Sequence, residues 1–141
     1  VEVITWSAFA LGWLRGGHVE RLSVAVLFWD YVFTHLVAPT GIGDAAAMAS
    51  TIVATLVILW LAFRSERWWL LVTAASLTLC SMVHIMEWMV PGLSQYAAES
   101  AQLGLWIVVF LSLIAGVGER WLAGERAVSD TAVWRRRRGA A

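Results

Sequence analysis

The sequence predicts an all-α, polytopic transmembrane helix bundle of five spans, with its N-terminus outside and its C-terminus in the cytoplasm. Three observations lead there. The chain has 141 residues, of which 60% are hydrophobic and only 14% charged. Soluble domains run nearer a quarter charged, and a chain of this size cannot hide so much apolar surface in one core. The apolar residues fall in stretches broken by short polar punctuation, most of them long enough for a hydrocarbon layer of about 30 Å. Finally, all ten positive side chains are arginines, and they occupy alternate gaps. Arg15 and Arg21 lie in the first gap and Arg64 and Arg67 in the third; Arg120, Arg126 and Arg135 to Arg138 follow the last apolar run. Basic short loops stay cytoplasmic, so the alternation sets the topology. A formal net charge of zero hides this segregation: the outer gaps carry Asp44 and Glu99 without basic partners.

The first stretch, Val1 to Leu14, ends at Arg15-Gly16-Gly17-His18. Its length gives a rise of only about 21 Å, short of a full crossing. The chain begins with Val rather than Met, which leaves room for residues before it. A secretory signal fits poorly, because no basic region precedes the stretch and no small-x-small site follows it. Either this segment is the first of five spans, or it lies at the interface and four remain; Arg15 faces the cytoplasm in both cases. The second span, Leu22 to Ala38, stops at Pro39-Thr40-Gly41. The third, Ala45 to Phe63, ends at Arg64-Ser65-Glu66-Arg67, and the fourth, Trp68 to Val90, ends at Pro91-Gly92. The fifth runs from about Ala101 to Gly118, before Glu119-Arg120. In lipid the backbone must satisfy its own hydrogen bonds, so these spans are helices.

Residues 1–118 thus form the bundle and 119–141 a basic cytoplasmic tail, partly interfacial or disordered. Trp68, Trp69, Trp88 and Trp121 stand at span ends, where indoles favour the headgroup zone. Trp29, Trp60 and Trp106 stand deeper and are expected to pack against other helices or a bound lipid or pigment. Arg64, Arg67, Trp68, Trp69, Trp121 and Arg135, Arg136, Arg137 and Arg138 are the expected lipid-headgroup contacts. Basic clusters beside a span attract anionic lipid at about 1 kcal/mol per residue; nucleic acid is not the expected partner of so short a run. Ala45, Ala46, Ala47, Ala49 and Ser50, then Ala74, Ala75, Ser76, Thr78 and Ser81, and the Ser112/Gly116 pair give small-residue faces for close helix contact. Cys80, the single cysteine, reads as a small core residue.

Four ionisable groups fall within apolar spans: Asp30 and His35 in the second, His84 and Glu87 in the fourth. Such groups are costly in a bilayer and mark functional sites. Counting back from the outer prolines, Asp30 lies about 13 Å deep, His84 about 10 Å, and His35 and Glu87 about 6 Å. All four therefore belong to the outer half, with Asp30 level with His84 and His35 level with Glu87. His84 and Glu87 share a helix face, whereas Asp30 and His35 are about 140° apart. A single four-ligand site is strained; separate cross-helix pairs are easier. The same residues suit a structural polar pair, a haem, pigment, metal or quinone site, or a proton path. There is no GxSxG, HExxH or phosphate-binding glycine loop, and His84-x-x-Glu87 reverses the di-iron order.

The segments Arg15 to Arg21 and Arg64-Ser65-Glu66-Arg67-Trp68-Trp69, with His84 and Pro91-Gly92-Leu93-Ser94 after them, resemble a group of small polytopic bacterial membrane proteins that share an Arg-x-acidic-Arg-Trp-Trp loop. The resemblance implies a bacterial inner membrane and no assigned activity. The functional expectation is an accessory or scaffolding subunit without catalysis of its own, packing with other membrane proteins or with itself. The rival is a membrane-embedded cofactor-binding or proton-handling protein built on Asp30, His35, His84 and Glu87.

Overall fold

The computed structural model describes residues 2–37, 43–65, 67–90, 92 and 94–124. Among them are five helices and no strand: α1 (Glu2–Arg15), α2 (His18–Val37), α3 (Gly43–Arg64), α4 (Trp68–Met89) and α5 (Gln95–Leu122). Three of these, α3, α4 and α5, are long and apolar enough to cross a membrane. α2 has the length, but Glu20, Arg21 and Asp30 interrupt it.

The breaks follow local chemistry. Gly16 N–H closes α1 on the Gly12 carbonyl at 3.1 Å, and the Gly17 carbonyl accepts the Arg21 N–H at 2.9 Å to open α2. Gly17 N–H donates to Glu20 Oε2 at 3.0 Å, the reciprocal half of a capping box. α4 ends because Val90, the residue before Pro91, turns extended (φ −118°, ψ 91°), as a residue preceding proline must. α5 differs most from its expected bounds. It starts at Gln95 rather than near Ala101 and continues past Gly118 to Leu122, 28 residues in all. Nothing in Gln95 to Ser100 breaks a helix, so the polar residues there form its first turns instead of a loop.

The helices form a closed ring in chain order, α1 against α2, α2 against α3, α3 against α4 and α4 against α5, with α5 returning to α1. Helices α4 and α5 are antiparallel: Trp68 Nε1 donates to Glu119 Oε2 (2.7 Å) and the Thr73 and Ser112 hydroxyls meet at 2.7 Å. Gln102 reaches Glu87 at the far end. In contrast, α1 and α5 run the same way, with the Phe9 and Phe110 rings 5.5 Å apart and Gly12 beside Leu113. This ordering gathers Arg15, Arg21, Arg64, Arg67 and Arg120, the arginines among the described residues, at one end of the bundle.

Alongside an apolar core, the bundle buries many polar residues and exposes many large apolar ones. Thr5, Glu20, Ser23, Asp30, Thr51, Thr55, Thr73, Ser76, Ser81 and Ser112 are buried, while Val53, Leu56, Phe63, Leu71, Met82 and many other large apolar residues face outward. Less than half of each of the three long apolar stretches is covered by protein. The core of Leu27, Ile58, Leu70, Leu77, Val109, Phe110 and Leu113 fills the ring's middle.

One tryptophan departs from expectation. Trp69 is 0% exposed, so it does not contact headgroups; it packs on Gly116, where an added Cβ would come within 2.6 Å of its ring. Trp29 and Trp60 face outward: Trp29 stacks on Phe33 (6.0 Å) and Trp60 lies under the Arg64 guanidinium (5.4 Å). Arg126 and Arg135 to Arg138, with the rest of the tail from 125 onward, lie outside the described residues.

Candidate functional site

Asp30 is buried at 1% exposure on α2 and turns toward α3. Ser50 donates to its Oδ1 at 2.5 Å, and the Thr51 hydroxyl lies 3.5 and 3.4 Å from its two oxygens. A carboxyl in an apolar bundle needs such donors to offset its lost hydration. The hydroxyls are available because Ser50 and Thr51 lie on the face of α3 that meets α2. From there a thread of hydroxyls continues inward: Thr55 donates to the Thr51 carbonyl (2.7 Å) and meets Ser81 of α4 (3.1 Å), which donates to the Leu77 carbonyl (3.0 Å). The thread stops there, against Ile58, Leu77, Val109 and Leu113, each 0% exposed.

His84 and Glu87 face α5. Their Nδ1 and Oε2 atoms are 3.4 Å apart, and Gln102 of α5 donates to Glu87 Oε2 at 3.0 Å with its amide nitrogen 3.3 Å from His84 Nδ1. His84 Nδ1 thus stands between a carboxylate oxygen that accepts and an amide nitrogen that donates, and either role of Nδ1 satisfies one of the two.

His35, on α2, folds back over its own helix. Its Nδ1 lies 2.8 Å from the Tyr31 carbonyl, and its ring lies 4.2 Å from that of Tyr31. A carbonyl only accepts, so Nδ1 carries a proton there.

His35 and His84 line one pocket of about 230 Å³, and every helix contributes to it. Thr5 comes from α1, Tyr31, Thr34 and His35 from α2, Thr51 from α3, His84 from α4, and Gln102, Leu103, Trp106 and Phe110 from α5. The pocket is a cup toward the bundle end opposite the arginines, with Phe110 of the core among its lining residues. Asp30 sits at its floor through Thr51, and Glu87 stands behind His84. Of the four residues singled out from sequence, His35 and His84 line the cup, while Asp30 and Glu87 contact its lining residues Thr51 and His84. Asp30 takes hydroxyls of α3 as partners, not His84; Glu87 pairs with His84 and Gln102, not with His35.

Sequence reasoning missed Gln102, Ser50 and Thr51. It also missed a buried ion pair at the opposite end. Glu20, 1% exposed, receives Arg120 Nη1 at 3.1 Å on the same oxygen that holds Gly17 N–H. A side chain at Gly17 would collide with that guanidinium. The spacing Gly17-x-x-Glu20, a capping pattern, was the available signal.

Chemically, the cup offers two imidazoles, an amide, hydroxyls and an aromatic wall. Among the described residues no three of His, Cys, Asp and Glu group as metal ligands. Compared with known protein families, characterised proteins and solved structures, the chain matches none.

Proposed function

We propose that the chain is a multi-pass protein of a bacterial inner membrane, crossing five times with its N-terminus outside, and that it holds a small ligand in its cup at the outer leaflet. The observation that carries the reading is the convergence of all five helices on one pocket that mixes two histidines, an amide and hydroxyls with aromatic side chains. Polar groups are costly at such depth and are retained where they serve a site.

Several features support the topology. Arginine gaps collect at one end, as basic cytoplasmic loops do. α1 lies alongside α5 within the ring rather than across its end, which suits a span better than an interfacial helix. The charges of α2 are compensated, Glu20 by Arg120 and Asp30 by Ser50 and Thr51, which lowers the cost of its crossing. Arg64, Arg67, Trp68 and Trp121 meet lipid headgroups at the cytoplasmic face, with anionic lipid as the favoured counterpart.

Native mass spectrometry of protein released gently from its own membrane tests this reading. The expected result is a particle carrying added small-molecule mass that disappears in Gln102→Ala and His84→Ala. Bare protein from fresh membranes, with no uptake of added membrane extract, would remove the reading.

A second reading, an accessory or scaffolding subunit, is favoured by a separate feature. An apolar groove of about 580 Å³ opens between α2 and α3, bordered by Ala25, Trp29, Ala49 and Val53. Its small residues suit close approach of another helix, from a partner protein or a second copy. A recovered mass equal to the chain plus other subunits would establish it.

A further inference from the structure

A carboxylate in an apolar bundle calls for an opposite charge, and around the cup that charge is in short supply. Asp30 is 1% exposed and meets only the hydroxyls of Ser50 and Thr51. Glu87 Oε2 meets Gln102 at 3.0 Å and His84 at 3.4 Å. Thr51, His84 and Gln102 all line the cup, so each acidic group stands one side chain behind its wall. Neither pairs with an arginine. The chain has no lysine, and Arg15, Arg21, Arg64, Arg67 and Arg120, the arginines among the described residues, gather at the other end. Glu99, held by Gln95 on the first turns of α5, adds a third acidic group at the cup end. Charge attraction is strong where water and salt do not screen it, so this end of the bundle favours a cation.

The wall selects among cations. Tyr31, Trp106 and Phe110 line the cup, with the Trp106 and Phe110 rings tilted 32° at 5.4 Å. Aromatic rings attract cations, and clusters of them suit ammonium groups that also carry apolar carbon. A metal ion needs several close ligands instead, and no three of His, Cys, Asp and Glu group for one among the described residues. About 230 Å³ is roughly eight water volumes at ~30 Å³ each. That admits an ammonium bearing a few small carbon groups, and a haem or chlorin macrocycle is far larger. The Gln102 amide and the threonine hydroxyls of the lining can each donate or accept. They can hold a hydroxyl on the ligand without deciding its charge.

We propose that the cup binds a small organic ammonium ion, with Asp30 and Glu87 balancing its charge and Tyr31, Trp106 and Phe110 packing on its carbon groups. The proposal rests on the reading of the cup as a ligand site and adds the ligand's class. Binding is what these residues account for; no bond is made or broken.

The test is calorimetry on the full chain in detergent, titrated with choline and with its neutral isostere, in which carbon replaces the charged nitrogen. Choline should bind at least about tenfold tighter than the isostere, the scale of a desolvated cation against aromatic faces. Asp30→Asn and Glu87→Gln keep shape and remove charge; each should weaken choline several-fold and leave the isostere unchanged. The two-probe comparison on the native chain needs no variant and survives any folding defect. Equal affinity for the two probes, preference for the isostere, or choline binding unchanged in the double variant would overturn the proposal. So would displacement of choline by an equal concentration of Na⁺ or Zn²⁺, which would make the cup an inorganic cation site. If choline does not bind but native mass spectrometry still finds an endogenous small molecule, the ammonium assignment fails and the ligand cup stands. If neither is found, both fail.

Discussion

Trp68 and Trp69 show what a single position can and cannot reveal. Consecutive residues on a helix point about 100° apart, so two adjacent indoles do not share one environment. Trp68 is 51% exposed and Trp69 is 0% exposed. Which of the two turns inward depends on Gly116, far along the chain, whose missing side chain makes the space. The Trp69 Nε1–H has no acceptor among the described residues, so the indole contributes volume rather than polarity. Trp69→Phe should therefore cost less than about 1.5 kcal/mol, while Trp69→Ala should cost about 3–5 kcal/mol, read as unfolding in detergent. A Trp69→Phe change as damaging as the truncation would point to an acceptor for that N–H. The site follows the same rule. Asp30, His84 and Glu87 were legible because a charge-bearing group in an apolar run is conspicuous. Gln102, Ser50 and Thr51 were not, because neutral amides and hydroxyls occur on every face and acquire meaning only from the neighbour they meet.

Helices were legible as elements wherever proline, glycine or arginine punctuated them. The bounds expected for the first four runs differ from α1 to α4 by a few residues. α5 was the exception, since Gln95 to Ser100 is polar without being helix-breaking, and polarity was taken for a loop. Joining the elements was not legible, and the Glu20–Arg120 pair is the clearest case. It ties the start of α2 to the end of α5, and it stays apart in sequence by 100 positions. Removing one partner of a buried pair typically costs about 3–5 kcal/mol. Glu20→Ala should lose stability on that scale, since Gly17 N–H loses its acceptor with it. The double variant Glu20→Met/Arg120→Leu should recover most of the loss, because apolar replacements leave no charge behind. An unfolding midpoint unchanged by Glu20→Ala would show that the pair is not what holds these helix ends.

For the whole molecule, the arginine gaps translate into an arrangement with one basic end and one end bearing the cup, and labelling with a membrane-impermeant maleimide checks its orientation. The native Cys80 is 0% exposed and should stay silent. Ser94→Cys should react in intact cells and Ser65→Cys only after permeabilisation. Val3→Cys decides the first helix: reaction from outside means that α1 crosses, and reaction only after permeabilisation means four spans. Closure of the ring has a further consequence, for synthesis. Helices α1 and α5 are neighbours, so the ring stays open until α5 has been made. Until α5 emerges, Glu20 waits without Arg120, and the cup lacks Gln102 and Trp106. A chain cut short before α5 displays a bare carboxylate and an open flank in the bilayer, features that membrane proteases can read as a mark of unfinished protein.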